Sequence, residues 1–220
     1  MIKCIIQAFD GIEYLKKSSK MKSILLSSAY LPNIAYLSQI LNHEQIFIEQ
    51  HEYFVKQTFR NRCEIVTANG KLSLSIPLIK QADKEIISEK KISYAEDWQK
   101  QHWRAMTSAY KNSPYFEFFE DDFKPFYETQ FEYLLDYNTQ ILHTILHVLR
   151  VKKQINFTTQ FELNPNEIVD SRNFSDKAKI SFNEVKPYYQ VFSDRIGFTP
   201  NLSCLDALFN IGLETKLLKV

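Results

Sequence analysis

The sequence predicts an α/β chain, with mixed α+β as the alternative: an N-terminal mixed sheet bearing an Asn-Gly hairpin, then a mainly helical C-terminal half. Three observations lead there. A strand–loop–helix–strand order comes first, an alternating hairpin follows, and apolar residues at helical spacing run through 97–152.

KSILLSS (22–28) is a short aliphatic run ended by small polar residues, as in a buried strand. In AYLPNIAYLSQIL, Pro32 opens a helix with Ile34, Leu37 and Leu41 at helical spacing. QIFIE (45–49) is a second strand, and this order implies parallel pairing. Asn69-Gly70 then lies between CEIVTA and KLSLSIP, and Asn-Gly suits the two positive φ angles of a type I′ turn. Leu72, Leu74 and Ile76 alternate with Lys71, Ser73 and Ser75, so one face packs and the other stays polar.

After the charged connection KQADKEIISEKKIS, Asp97–Lys111 reads as a helix. Trp103, Met106 and Tyr110 make one stripe, and Trp98, His102, Ala105 and Ala109 its neighbour. Pro114 interrupts. Glu120–Lys152 reads as one long helix, acidic at its start (Asp121, Asp122) and basic at its end, as the helix dipole favours. Residues 153–185 are polar and weakly periodic, a flap or an excursion. GFTPNLSCLDALFNIG closes with a helix capped by Ser203, Asp206 standing three residues on, and stopped at Gly212. Residues 1–20 read as an N-terminal extension to a single domain over 21–220, because Met21 directly precedes the first strand.

Composition narrows the function. The 17 Phe and 12 Tyr against 4 Gly indicate a core of large rings. With 27 basic and 26 acidic residues the chain lacks the electrostatic footprint of a nucleic-acid binder. No apolar run approaches the ~18 residues of a membrane span. Cys4, Cys63 and Cys204 are odd in number and without zinc spacing, which suggests reduced thiols in a cytoplasmic protein. His143 and His147 are four apart but lack the intervening Glu and a third ligand, so no metal site and no cofactor are expected. Phosphate-loop, dinucleotide and nucleophile-elbow motifs are absent.

The crowded polar stretch HEYFVKQTFRNRCEIVTANGKLSLSIP (51–77) is the candidate site. If 56–66 is a strand, Lys56, Thr58, Arg60, Arg62 and Glu64 share a face, about 6.6 Å apart, close enough to converge on a phosphate or carboxylate. The alternative is a solvated strand edge guarded by charge. Cys63 falls beside Phe59 and Ile65, the setting of a small buried hydrophobe rather than a nucleophile. His102, one turn after Trp98, borders apolar and wet faces and reads either as a general acid–base or as a packed histidine.

YLPNIAYL, the segment from Lys56 to Asn61-Arg62, the hairpin ending in SLSIP, W-x3-H-W…Y-x3-P-Y-F and the closing PNLSCLDALFNIG together resemble the WbqC-like family, from about Met21 to Gly212. The resemblance implies a part in surface-polysaccharide (O-antigen-type) biosynthesis, with acyl or aminoacyl transfer to a nucleotide- or lipid-linked amino sugar as the implied chemistry. Matching positions are Pro32, Tyr36, Lys56, Asn61, Arg62, Trp98, His102, Tyr110 and Pro114. Two motifs depart: Ser27-Ser28-Ala29 stands where many relatives have His-Gln-Pro, and Asn61-Arg62-Cys63 where many have Asn-Arg-Asn.

The resulting expectation is that Lys56, Asn61, Arg62, Trp98 and Tyr110 bind a sugar-nucleotide or carrier-linked substrate, and that His102 or Glu52 moves a proton. Arg62 or Asn61 would meet the developing oxyanion. The competing reading is a non-catalytic module that grips a glycan intermediate, a carrier protein or a partner enzyme.

Overall fold

The computed structural model describes residues 23–80, 82, 84–172 and 185–218. The proposed extension 1–20 and Cys4 lie outside these residues, as do residues 173–184 of the 153–185 segment.

The α/β expectation holds. Strand β1 (Ser23–Ser27) passes through helix α1 (Ile34–Asn42) to β2 (Gln45–Glu49), which pairs parallel with it from Ser23↔Gln45 to Ser27↔Glu49. The helix opens at Ile34, two residues after Pro32, and Asn33 caps it, its side chain accepting from the Tyr36 amide at 2.8 Å. The hairpin is β3 (Arg62–Thr67) and β4 (Gly70–Ser75). Its turn corrects the type I′ expectation: Gly70 has φ +102 whereas Asn69 is not in the positive-φ region, and Thr67 pairs with Gly70 around Ala68-Asn69. Leu74 and Ile76 are buried as the alternation requires, but Leu72, towards the hairpin tip, is 38% exposed.

The polar segment after 153 is more than a flap. It supplies β5 (Ile155–Phe157) and β6 (Val169–Asp170), which complete a parallel sheet in the order β5-β2-β1-β6.

The helical half starts with α2 (Trp98–Tyr110), its Trp98, His102, Met106, Ala109 and Tyr110 buried. The single long helix expected over 120–152 is in fact α3 (Phe116–Phe123), a 3₁₀ turn (Lys124–Tyr127) and α4 (Leu134–Val148). Pro125 causes the break: it has no N–H to donate and its ring clashes with the preceding turn. A short α5 (Ser193–Ile196) precedes α6 (Cys204–Ile211), capped by Ser203 and ended at Gly212 with φ +60. Asp206 completes no capping box; its carboxylate accepts from Tyr110, Tyr188 and Gln190 in the core.

Large rings fill the interior as composition suggested. Tyr30, Tyr110, Tyr137, Phe123 and Phe209 are among the largest fully buried side chains. Cys63 and Cys204 are buried thiols, and burial pushes Cys204 up to about 12, far from a reactive thiolate.

Candidate functional site

The expected strand over 56–66 begins only at Arg62. Before it the chain turns, with Gln57 at φ +61, and this redirects the polar residues. Thr58 and Arg60 are buried rather than displayed beside Lys56. Arg60 turns inward to Glu52, donating from Nε to Oε1 at 2.8 Å and from Nη2 to Oε2 at 2.7 Å. Its Nη2 also donates to Ser27 Oγ at 2.8 Å, at the carboxyl end of β1. Asn138 of α4 donates to the Arg60 carbonyl at 2.8 Å and to Ser28 Oγ at 2.9 Å. A buried, fully engaged pair of this kind fixes the backbone around it. The arm carrying Lys56, Asn61 and Arg62 is therefore anchored at its root.

That arm faces α2 across a cavity of about 520 Å³, whose walls include Lys56, Asn61 and Arg62 on one side and Trp98, Gln101 and His102 on the other. Ser75, Ile76, Pro77 and Leu78 form an apolar-to-polar floor at the end of β4. Of the seven residues singled out from the sequence, five line this cavity. Glu52 does not, because its carboxylate is committed to Arg60 and Ser27. Tyr110 does not either: its hydroxyl donates to Asp206 at 2.9 Å in the core.

The polar atoms of the walls are unequally satisfied. Among the described residues the Arg62 side chain has no hydrogen bond or ion pair, and its buried Nε is an unpartnered donor. The indole Nε1 of Trp98, a residue 3% exposed, is a second such donor. Asn61 presents the converse. Its Nδ2 donates to the Ile76 carbonyl at 2.9 Å, which leaves Oδ1 an unpartnered acceptor. A carbonyl only accepts, so the amide cannot be turned round. Nδ2 carries two hydrogens, so one N–H of Asn61 remains beyond its bond to the Ile76 carbonyl. Each such atom left unpaired costs about 1–3 kcal/mol, and three of them belong to residues that line this cavity.

Charge adds a preference. Glu85 pairs with Lys90 at 2.6 Å, both side chains buried, so these two cavity residues largely cancel. The other charged lining residues are Lys56, Arg62, Lys80 and Glu96, three basic against one acidic, which leaves an excess of positive charge. Sequence reasoning missed Lys90, Glu85 and Lys80 because they sit in a charged connection to which it assigned no element. The one available signal was the spacing of Ile86, Ile87 and Ile92 through it, which lets the segment turn back onto the core.

His102 is 5% exposed, and burial lowers its pKa to about 4, against a smaller opposing effect of the Ser75 carbonyl. It is neutral at pH 7. Its Nδ1 lies 3.0 Å from the Tyr30 hydroxyl, which in turn lies 2.9 Å from that of Tyr127. The Ser75 carbonyl favours N–H on the other ring nitrogen, which makes Nδ1 the acceptor of the Tyr30 proton. His143 and His147 are exposed on α4, and no group of three metal-binding side chains occurs among the described residues. No helix among them is long and apolar enough to cross a membrane.

The uncharacterized protein Rv1507c of Mycobacterium tuberculosis is 26% identical over 223 residues, covering 88% of this chain and 95% of its own. No solved structure matches. The model of the WbqC-like protein family matches residues 27–169, which include both walls of the cavity, and the chain belongs to that family.

Proposed function

We propose that this chain binds a sugar-nucleotide or carrier-linked sugar in the making of surface polysaccharide, holding its phosphate or carboxylate between the hairpin arm and α2. One observation carries the reading: Arg62 stands half-buried in a cavity wall with no counter-ion among the described residues. A planar fork in that state is a receptor for two acceptor oxygens. The polysaccharide setting is what the family resemblance implies.

The reaction that suits this site is acyl or aminoacyl transfer to the amine of an amino sugar. The amine nitrogen attacks the carbonyl carbon of an acyl thioester, a C–N bond forms, and the C–S bond breaks. Sulfur leaves as thiolate and the amine proton passes to a base. Arg62 would meet the oxyanion that develops. Neutral His102 would be the base, since the unprotonated ring is the form that accepts a proton.

A second reading, a binding module without turnover, is favoured by the Tyr30 hydroxyl on His102 Nδ1, which occupies the lone pair a base would use. A thermal-shift screen of sugar nucleotides, glycosyl phosphates and acyl thioesters tests the common ground, because a ligand of the native state raises Tm. Stabilisation by anionic sugars supports the proposal, and no response to any of them ends it. Product formed by wild type and lost in His102→Gln, with binding kept, marks the enzyme. Binding without product in wild type marks the module.

A further inference from the structure

Tyr30, fully buried behind the cavity, joins the hairpin arm to α2. Its backbone N–H donates to the Phe59 carbonyl at 2.9 Å, in the arm that runs on to Asn61 and Arg62. Its hydroxyl lies 3.0 Å from His102 Nδ1 and 2.9 Å from the Tyr127 hydroxyl. Ring contacts hold the imidazole in that pose: it stacks on Tyr30 with centroids 5.8 Å apart and meets Trp98 edge-on at 5.1 Å. Each hydroxyl has one proton, and the chain they form has a favoured direction. If Tyr127 donates to Tyr30 and Tyr30 to Nδ1, both protons meet strong acceptors, and the ring N–H falls on Nε2, towards the Ser75 carbonyl. Run the other way, Nδ1–H donates to Tyr30, Tyr30 to Tyr127, and the Tyr127 proton goes to Met106 Sδ at 3.8 Å, a weak acceptor.

We infer that Tyr30 is the positioning residue of this site: it ties α2 to the arm and, with Tyr127 behind it, holds His102 in the tautomer that carries its proton on Nε2. The inference rests on the reading above only for what the cavity takes, and adds the residue that sets the acid–base form of His102. In this direction the ring has an N–H, and no free lone pair, to offer a ligand. His102 becomes a base only when the chain reverses and Nε2 gives up its proton. Two hydroxyls can reverse in this way, since each both donates and accepts, whereas a backbone N–H or carbonyl in the place of Tyr30 could not.

Nitrogen NMR of the full chain, labelled in its histidine rings and recorded at neutral pH, tests this without a ligand. Wild type should show His102 with a lone pair on Nδ1 and the proton on Nε2. Tyr30→Phe keeps the ring and the backbone N–H but removes the hydroxyl, so the Nδ1 signal should shift to that of a lone pair without a hydrogen bond. Tyr127→Phe leaves Tyr30 with Nδ1 as its acceptor and should keep the wild-type tautomer. A proton on Nδ1 in wild type, or the same Nδ1 signal in wild type and Tyr30→Phe, would overturn the assignment. The wild-type spectrum decides the direction of the chain even where Tyr30→Phe folds poorly. Titration of the same samples with glucose 1-phosphate tests the anion-binding reading separately: its failure to bind would end that reading and leave the tautomer result standing.

Discussion

Glu52 and Arg60 form a bidentate ion pair, at 2.8 and 2.7 Å, sealed beneath the arm that carries Lys56 and Arg62. Its geometry implies structural dependence. Removing one partner of a buried pair leaves the other charged and dry, at a cost of about 3–5 kcal/mol. Glu52→Ala and Arg60→Ala should each lower unfolding free energy by that amount in urea titrations. The double replacement Glu52→Met with Arg60→Met should cost less than the two singles combined. Single variants within about 1 kcal/mol of wild type would show that the pair anchors nothing, since exposed pairs are worth no more than that.

His102 makes stability depend on pH. Its pKa falls from 6.5 in the unfolded chain to about 4 in the fold, so between those values the unfolded state binds more protons. Stability from this residue is complete above pH 6.5 and is lost as pH drops towards 4. Full loss amounts to about 3 kcal/mol. An NMR titration should find the His102 ring neutral at pH 5.5, and His102→Gln should flatten the stability profile between pH 6.5 and 4.5. A ring that titrates near 6.5 would contradict its burial against Tyr30.

Tyr110 belongs to the core. Together with Tyr188 and Gln190 it donates to Asp206, whose carboxyl burial raises to about 6 despite those three bonds. Tyr110→Phe removes one donor and should raise the Asp206 pKa further. The expected loss of stability is about 1–3 kcal/mol, that of a buried acceptor losing its partner. Affinity for sugar phosphates should stay within twofold of wild type; a selective loss of binding would return Tyr110 to the ligand.

Gly70 has φ +102 at the hairpin turn, with open space where a Cβ would be. The cost of Gly70→Ala is therefore conformational and should be about 1 kcal/mol or more, read as a lower urea midpoint with unchanged slope. A variant as stable as wild type would mean that the turn relaxes to another type.

Local patterns were the legible part of this molecule. QIFIE, the alternating hairpin and the Ser203-to-Gly212 helix each satisfy their own hydrogen bonds or present a clear apolar period, so a short window suffices. Pro125 also carried its message locally, but dipole-matched charges at either end of 120–152 argued for continuity across it. Strands β5 and β6, of three and two residues, were illegible because only the edges of β1 and β2 make them strands. In the site, residue type picked out Arg62 and His102. The inward turn of Arg60 depended on Ser27 and Asn138, 33 and 78 residues away in sequence, and no spacing rule reaches that far.

The most direct measurement is calorimetric titration of wild type and Arg62→Ala with a glycosyl 1-phosphate, paired with the thermal midpoint of each protein. On the proposed reading Arg62 touches the ligand and has no side-chain partner among the described residues, so affinity should fall about 10- to 100-fold, a charge-assisted bond's worth, while Tm stays within a few degrees of wild type or rises. Unchanged affinity in a stably folded Arg62→Ala protein would contradict the account at its centre.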